Sequence, residues 1–191
     1  MKTIQMTKEV PQLKINYSTE IESPRNDDTI CLLVLKGCYG DKNEELQRLL
    51  NETYRKATSA PHHLELMRDE VSKIYGNVVY SDFITKYEHS SVCLKRGLYK
   101  GFDYGLIGFV FVTDRHVQSF GVASDNIEKL VDNELQTYNQ WLNGEIYEYR
   151  LYNNEGEVIE SCSGFYDIDS IKEYLPKEWQ HEDMKQYLVI E

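Results

Sequence analysis

The sequence predicts an α+β fold with a mainly antiparallel sheet, a helical hairpin insertion and a long helix packed on the sheet. Three observations predict it: an apolar run of strand length at 106–112, two amphipathic stretches on either side of Pro61, and an apolar stripe at helical spacing over 124–143. The 191 residues, 41% of them hydrophobic, suit a single domain over 1–191.

The first half of the chain alternates between strand-like and helix-like segments. The apolar run Thr29–Lys36 predicts a buried strand after a turn-rich loop at Pro24. The insertion over 43–75 contains two predicted helices, which Pro61 separates and Gly76 ends.

Three further strands are predicted over 78–86, 91–96 and 104–113. The last of them is the most hydrophobic segment, so we expect it in the sheet interior. Gly105 and Gly108 within it indicate a bulge or a close approach of two backbones.

The C-terminal part begins with a predicted helix over 124–143, for which Ser124 is the expected N-cap. A hairpin follows, with strands at 145–152 and 157–163 joined by a turn at Asn153–Gly156. We then expect a short helix ending at Leu175, capped by Asp167 or Asp169, and an edge strand over 187–190.

The charge is distributed unevenly along the chain. Acidic residues number 32 and basic residues 21, a net charge of −11. Residues 1–122 are neutral, with 16 of each, so the whole excess lies in an acidic C-terminal part over 123–191. Such a surface repels phosphate backbones and anionic membranes, and it favours a basic protein partner.

The cysteines are typical of a reducing compartment. Cys31, Cys38, Cys93 and Cys162 form no C-x-x-C pair and match no zinc pattern. Cys162 is expected to pack inward from its strand as a small hydrophobic residue. The N-terminus shows no signal-peptide pattern, and the longest apolar run is too short to span a bilayer, so the expected location is the host cytoplasm.

Three short motifs follow one another along the chain. They are Glu22-Ser-Pro-Arg25 before the first apolar strand, Glu88-His-Ser-Ser91 before Gly105-Leu-Ile-Gly-Phe-Val-Phe-Val112, and Gly144-Glu-Ile-Tyr-Glu-Tyr149 before Ser161-Cys-Ser-Gly-Phe-Tyr166. In these motifs the chain resembles a group of uncharacterised proteins carried by phages, plasmids and integrative elements. The resemblance covers 22–166 and implies a mobile-element accessory protein, without implying a reaction.

No residue cluster has the spacing of a catalytic or metal-binding signature. Adjacent residues in the turn Glu88–Ser91 do not by themselves converge as a triad. His62 and His63 point about 100° apart on a helix, and a D-x-D before a helix, as at Asp167 and Asp169, is more often a cap than a metal site. We therefore predict no catalytic residue, metal or cofactor.

The favoured hypothesis is a non-enzymatic interaction protein of a phage or other mobile element. It would bind and inhibit a basic, nucleic-acid-binding defence protein of the host, such as a CRISPR effector or a restriction nuclease, through an acidic surface. The candidate binding residues are Asp125, Glu128, Asp132, Glu134, Glu145, Glu155, Glu157, Asp167, Asp169, Tyr147 and Tyr149.

Two alternatives stay open. One is a small metal-dependent enzyme acting on a nucleotide or nucleic acid, for which Glu88, His89, Asp167 and Asp169 would have to converge. The other is a module that sequesters a small signalling molecule in a pocket. A carboxylate cluster would favour the enzyme, and a deep aromatic pocket would favour the sequestering module.

Overall fold

The computed structural model describes residues 12–19, 21–26, 29–37, 39 and 43–189. These residues form two compact units: those of unit 1 lie within 1–22 and 140–191, and those of unit 2 lie within 23–139. The strands pair antiparallel in two sheets, which confirms the predicted α+β class with mainly antiparallel pairing. Whether 1–191 folds as a single domain stays a prediction.

The helices and strands have the following bounds. They are β1 (Gln12–Tyr17), β2 (Leu32–Leu35), α1 (Glu44–Lys56), α2 (Ala60–Tyr75), β3 (Val78–Glu88), β4 (Val92–Arg96), β5 (Tyr104–Thr113), α3 (Asp114–Phe120), α4 (Ile127–Leu142), β6 (Tyr147–Tyr152) and β7 (Val158–Phe165). The sequence predicted all of these except β1 and α3, with shifts of a few residues at the ends.

Unit 2 contains a four-stranded sheet in the order β2-β5-β3-β4. The expected interior position of β5 is confirmed, because it pairs with β2 on one side and β3 on the other. Its Phe109 and Phe111 enter a core with residues of α1 and α2, while the opposite-facing Val110 and Val112 are buried as well. This strand is therefore covered on both faces over its second half.

The predicted helical hairpin is present as α1 and α2, which pack against each other. The Asn43 side chain caps α1 by accepting a hydrogen bond from the Leu46 N–H. Ser59 caps α2 in the same way, with Pro61 in the first turn, where its missing N–H costs nothing. Leu50 of α1 and Met67 of α2 then pack on the sheet with Phe109.

One side-chain amide of the long helix α4 forms two hydrogen bonds with the backbone of the edge strand β4. Asn139 Oδ1 accepts a hydrogen bond from the Leu94 N–H at 2.8 Å, and Asn139 Nδ2 donates to the Leu94 carbonyl at 3.0 Å. The Asn139 amide thus satisfies backbone groups of β4 that would otherwise be free to pair with a further strand. The expected cap at Ser124 is wrong, because Ser124–Asn126 forms a 3-10 turn before α4 begins at Ile127.

Unit 1 contains a three-stranded sheet in the order β1-β6-β7. Its core includes Ile15, Tyr149 and Leu151 from the sheet and Ile171 and Trp179 from the segment that follows. The short helix expected before Leu175 is a 3-10 helix over Ile168–Tyr174.

The predicted edge strand at 187–190 is reduced to one bridge. Leu188 lies parallel to Ile15 in β1, and the Val189 N–H donates to the Ile15 carbonyl at 2.8 Å. Residue 190 lies outside the described residues.

Candidate functional site

The acidic hairpin comprises β6, the turn 153–157 and β7, all in unit 1. Asn153 builds the turn, since its Oδ1 accepts hydrogen bonds from the N–H groups of Glu155 and Glu157, both at 2.9 Å. Gly156 has φ +80°, a conformation that glycine adopts without steric cost. This local chemistry aligns β7 beside β6 and holds both glutamates in the exposed turn.

The strand β7 is exposed over nearly its whole length. Residues 154–164 are all exposed, and the apolar residues Val158 and Ile159 are 50% and 56% exposed. β7 is also the last strand of its sheet, and no strand of the described part of the chain pairs with its outer edge. It therefore presents unpaired N–H and carbonyl groups, which are a template for adding a strand of another chain.

The segment that contains this edge is acidic in sequence. Between residues 151 and 171 the sequence has five acidic residues and no Lys or Arg, and these acids are Glu155, Glu157, Glu160, Asp167 and Asp169. Asp169 is paired with Lys172 at 2.9 Å, and the ion pair lowers the pKa of Asp169 below its ordinary value. Asp167 caps the following 3-10 helix by accepting from the Asp169 N–H. Glu155, Glu157 and Glu160 have no ion pair among the described residues, and the cation opposite β7, Arg150, is itself paired with Glu148 at 2.9 Å.

The two predicted tyrosines do not contribute equally to this surface. Tyr149 is 2% exposed, and its hydroxyl donates to Glu160 Oε1 at 2.7 Å, so its ring belongs to the unit 1 core. Burial, followed by the contact with Glu160, raises the pKa of Tyr149. Tyr147 is half-buried, with its ring 5.3 Å from that of Tyr17, and a partner can reach its edge.

The acids predicted on α4 lie in unit 2, and most of them have cationic partners. Arg96 binds Asp132 at 2.9 Å and Glu128 at 3.0 Å, which raises the Arg96 pKa further above its already high value. Glu134 binds the buried Arg25 at 3.0 Å. Only Asp125 in this group is exposed without an ion pair among the described residues. Three of these helix acids therefore stabilise unit 2, and the acidic hairpin is the more available surface.

The inward packing predicted for Cys162 is wrong. Cys162 is exposed although it lies opposite Tyr149, because the core packed beneath β6 reaches β7 only at Phe165. Cys31 is buried as expected, and Cys93 is half-buried. Cys38 lies outside the described residues.

The geometry does not assemble the residues of the enzyme alternative. Within the described residues, no group of three or more His, Cys, Asp and Glu side chains is placed to hold a metal ion. Glu88 binds Lys86, and His89 is exposed in the turn between β3 and β4. His63 is buried against Thr53 instead of sharing a ligand with His62.

Sequence reasoning missed the exposure of β7 on both faces. One signal was present, since Glu160, Ser161 and Ser163 break the hydrophobic alternation that a half-buried strand requires. Residue 145, another predicted site residue, is exposed and has no ion pair within the described segments.

Comparison of the chain with protein-family models, curated proteins and solved structures finds no match. No helix in the described parts of the chain is both long and apolar enough to cross a membrane.

Proposed function

We propose that this chain is a non-enzymatic interaction protein of a phage or other mobile element, and that its acidic hairpin binds a basic protein of the host. The observation that carries the proposal is β7, an open strand edge with both faces exposed and three glutamates in or beside it. The partner class is a nucleic-acid-binding defence protein, such as a CRISPR effector or a restriction nuclease. Such proteins carry basic channels that an acidic protein edge can occupy.

Two kinds of contact support binding at this edge. The main-chain groups of β7 can pair with an extended segment of the partner, which supplies affinity without depending on sequence. Glu155, Glu157 and Glu160 select for basic side chains beside that segment. Val158 and Ile159 add apolar area that would be buried in the complex.

The test measures inhibition and association with purified basic DNA nucleases, one CRISPR effector and one restriction endonuclease. The wild-type protein is expected to slow DNA cleavage by one of them, and its association rate is expected to fall as salt rises, since salt screens exposed charges. The variant Glu155→Lys with Glu157→Lys is expected to associate with the nuclease at least about tenfold more slowly than the wild type.

The matched control reverses two exposed acids on α2, Glu65→Lys with Asp69→Lys, and changes the net charge by the same amount. It is expected to alter the association rate by less than about twofold. Equal slowing by both double variants, or a rate that does not respond to salt, contradicts binding through the hairpin. DNA cleavage by this protein alone, lost in Asp167→Ala or His89→Ala, would contradict the non-enzymatic assignment.

A further inference from the structure

A cavity of about 520 Å³ lies in unit 2, between the helical hairpin and the sheet. One wall is the end of α1, the connection 57–59 and the start of α2, and the other is formed by β5 at Leu106–Phe109. Leu50 and Phe109 give it an apolar floor. Its volume lies within the range of about 300–1,000 Å³ that is typical of small-molecule sites.

The charge of the cavity is opposite to that of the chain as a whole. Lys36 and Arg55 are the charged residues among its lining side chains, and the lining contains no Asp or Glu. Neither cation has an ion pair with an acid of the described residues, whereas most other arginines of unit 2 are paired. The Lys36 ammonium lies 4.4 Å from the centre of the Tyr54 ring. Two unpaired cations beside an exposed aromatic ring are a suitable site for an anionic, planar ligand.

His63 supplies a hydrogen-bond acceptor at the apolar floor. It is 5% exposed, and its Nε2 lies 3.2 Å from the Leu50 carbonyl and 3.0 Å from Thr53 Oγ1. The carbonyl only accepts, so Nε2 carries the hydrogen. Burial lowers the pKa of His63, which keeps the ring neutral at pH 7 and leaves Nδ1 as an acceptor.

The ring of His63 is held firmly in this orientation. Phe109 contacts it edge-on at 4.7 Å between ring centres, and Tyr54 lies at 5.5 Å. Nδ1 has no hydrogen bond within the described residues. The start of α2 adds little, because Ser59 already accepts from the His62 N–H and Pro61 has no N–H. Recognition therefore depends on the side chains.

We propose that this cavity binds a nucleoside monophosphate. The phosphate would contact Lys36 and Arg55, the base would lie against Tyr54 and the apolar floor, and a base N–H would donate to His63 Nδ1. This function is separate from partner binding by the acidic hairpin, which belongs to unit 1.

Isothermal titration calorimetry with AMP, GMP, CMP and UMP tests the proposal, with adenosine, guanosine and inorganic phosphate as partial ligands. At least one nucleotide is expected to bind with a dissociation constant below about 1 mM and at least about tenfold more tightly than its nucleoside and than phosphate. Lys36→Gln with Arg55→Gln is expected to weaken this binding about tenfold or more, since each cation makes a charge-assisted hydrogen bond. Tyr54→Ala is expected to weaken the binding of the nucleotide and of its nucleoside to a similar extent.

The matched control is Arg48→Gln with Lys56→Gln, which removes two exposed cations of α1, the helix that carries Arg55, outside the cavity. It is expected to leave nucleotide affinity within about twofold. Phosphate binding as tight as nucleotide binding, equal loss in both double variants, or no binding of any nucleotide overturns the proposal. Glu155→Lys with Glu157→Lys leaves the nucleotide titration unchanged, which separates this result from the proposed protein interaction.

Discussion

Gly108 is the position in β5 where a side chain cannot be accommodated. A Cβ atom there would lie 2.1 Å from the Val34 carbonyl oxygen and 2.8 Å from the Leu35 Cα of the neighbouring strand β2. Both atoms belong to the backbone, so relief requires the two strands to move apart. The sequence predicted a close approach or a bulge at Gly105 or Gly108, and Gly108 is where the close approach occurs.

We predict that Gly108→Ala lowers the free energy of unfolding by roughly 3–4 kcal/mol, because the added methyl group forces β2 and β5 apart and breaks their hydrogen bonds. Gly105→Ala in the same strand is the control, since a Cβ there meets nothing within 4 Å. It is expected to be neutral or slightly stabilising, by up to about 1 kcal/mol. Urea denaturation of the two variants measures the difference, and equal stability would mean that the strands are not this close.

At the scale of elements, long periodic segments were predictable and short ones were not. The apolar stripe of α4 has helical spacing, and the continuous apolar run of β5 has the length of a buried strand. Each pattern therefore predicts one type of secondary structure. α3 has seven residues and begins with a capping box in which His116 takes the place of the usual Glu or Gln. β1 depends on its pairing with β6, in which Gln12 lies opposite Tyr152 and Tyr17 lies opposite Tyr147. The local sequence of β1 does not indicate a pairing partner more than 100 positions away.

The candidate site was predictable in its charge but not in its accessibility. The sequence placed Glu155 in the predicted hairpin turn and Glu157 at the start of the strand that follows it. The sequence did not reveal that Glu134 forms an ion pair with Arg25, or that Tyr149 is buried, because both outcomes depend on residues far away in the sequence. The cavity beside His63 had no sequence signal for the same reason.

The contact between α4 and residues 29–31, which directly precede β2, depends on Glu134. Its carboxylate binds Arg25 at 3.0 Å and accepts from the Ile30 N–H at 2.5 Å and from Cys31 Sγ at 3.0 Å. The Arg25 side chain is 5% exposed, so it has little access to water if the pair is broken.

We predict that Glu134→Ala lowers the free energy of unfolding by about 2–4 kcal/mol, since it leaves the buried guanidinium of Arg25 and the Ile30 N–H without this acceptor. Glu128→Ala is the control on the same helix. Its side chain is 64% exposed and Asp132 still binds Arg96, so the expected change is below about 1 kcal/mol. Denaturant midpoints compare the two, and similar midpoints would show that the Arg25 pair contributes little.

At the scale of the whole molecule, the acidic excess is shared unequally between the two structural units. Unit 1 has 15 acidic and 7 basic residues, a net −8, whereas unit 2 has 17 and 14, a net −3. The excess of unit 2 lies entirely in 123–139, so the cut after residue 122 that collects the whole −11 on one side does not coincide with a unit boundary. The two proposed sites lie in different units, the acidic hairpin in unit 1 and the basic cavity in unit 2.

Stability is expected to fall as the pH is lowered through 6.5. Burial lowers the pKa of His63 and of His116 below the ordinary value of 6.5, and it outweighs the opposing effects of the Leu50 carbonyl on His63 and of Glu134 on His116. The unfolded chain therefore takes up protons at a pH where the folded protein does not, and the loss continues down to the folded pKa values.

Urea denaturation at pH 7.5, 6.5 and 5.5 measures this dependence. The double variant His63→Gln with His116→Gln is expected to be less stable throughout, but with a flatter pH dependence over this range. His89→Gln, which changes an exposed side chain, is the control and is expected to keep the wild-type slope. An unchanged slope in the double variant would show that neither buried imidazole resists protonation.

The carboxylates along β7 also bear on how the protein behaves when it is concentrated. An open strand edge is a template on which a second copy of the same chain can add. Two copies meeting along β7 would bring Glu157 and Glu160 of each against an equally acidic strand, and like charges facing one another weaken strand pairing. Salt screens that repulsion, so concentrated stocks are expected to remain dispersed in dilute buffer and to self-associate at high ionic strength.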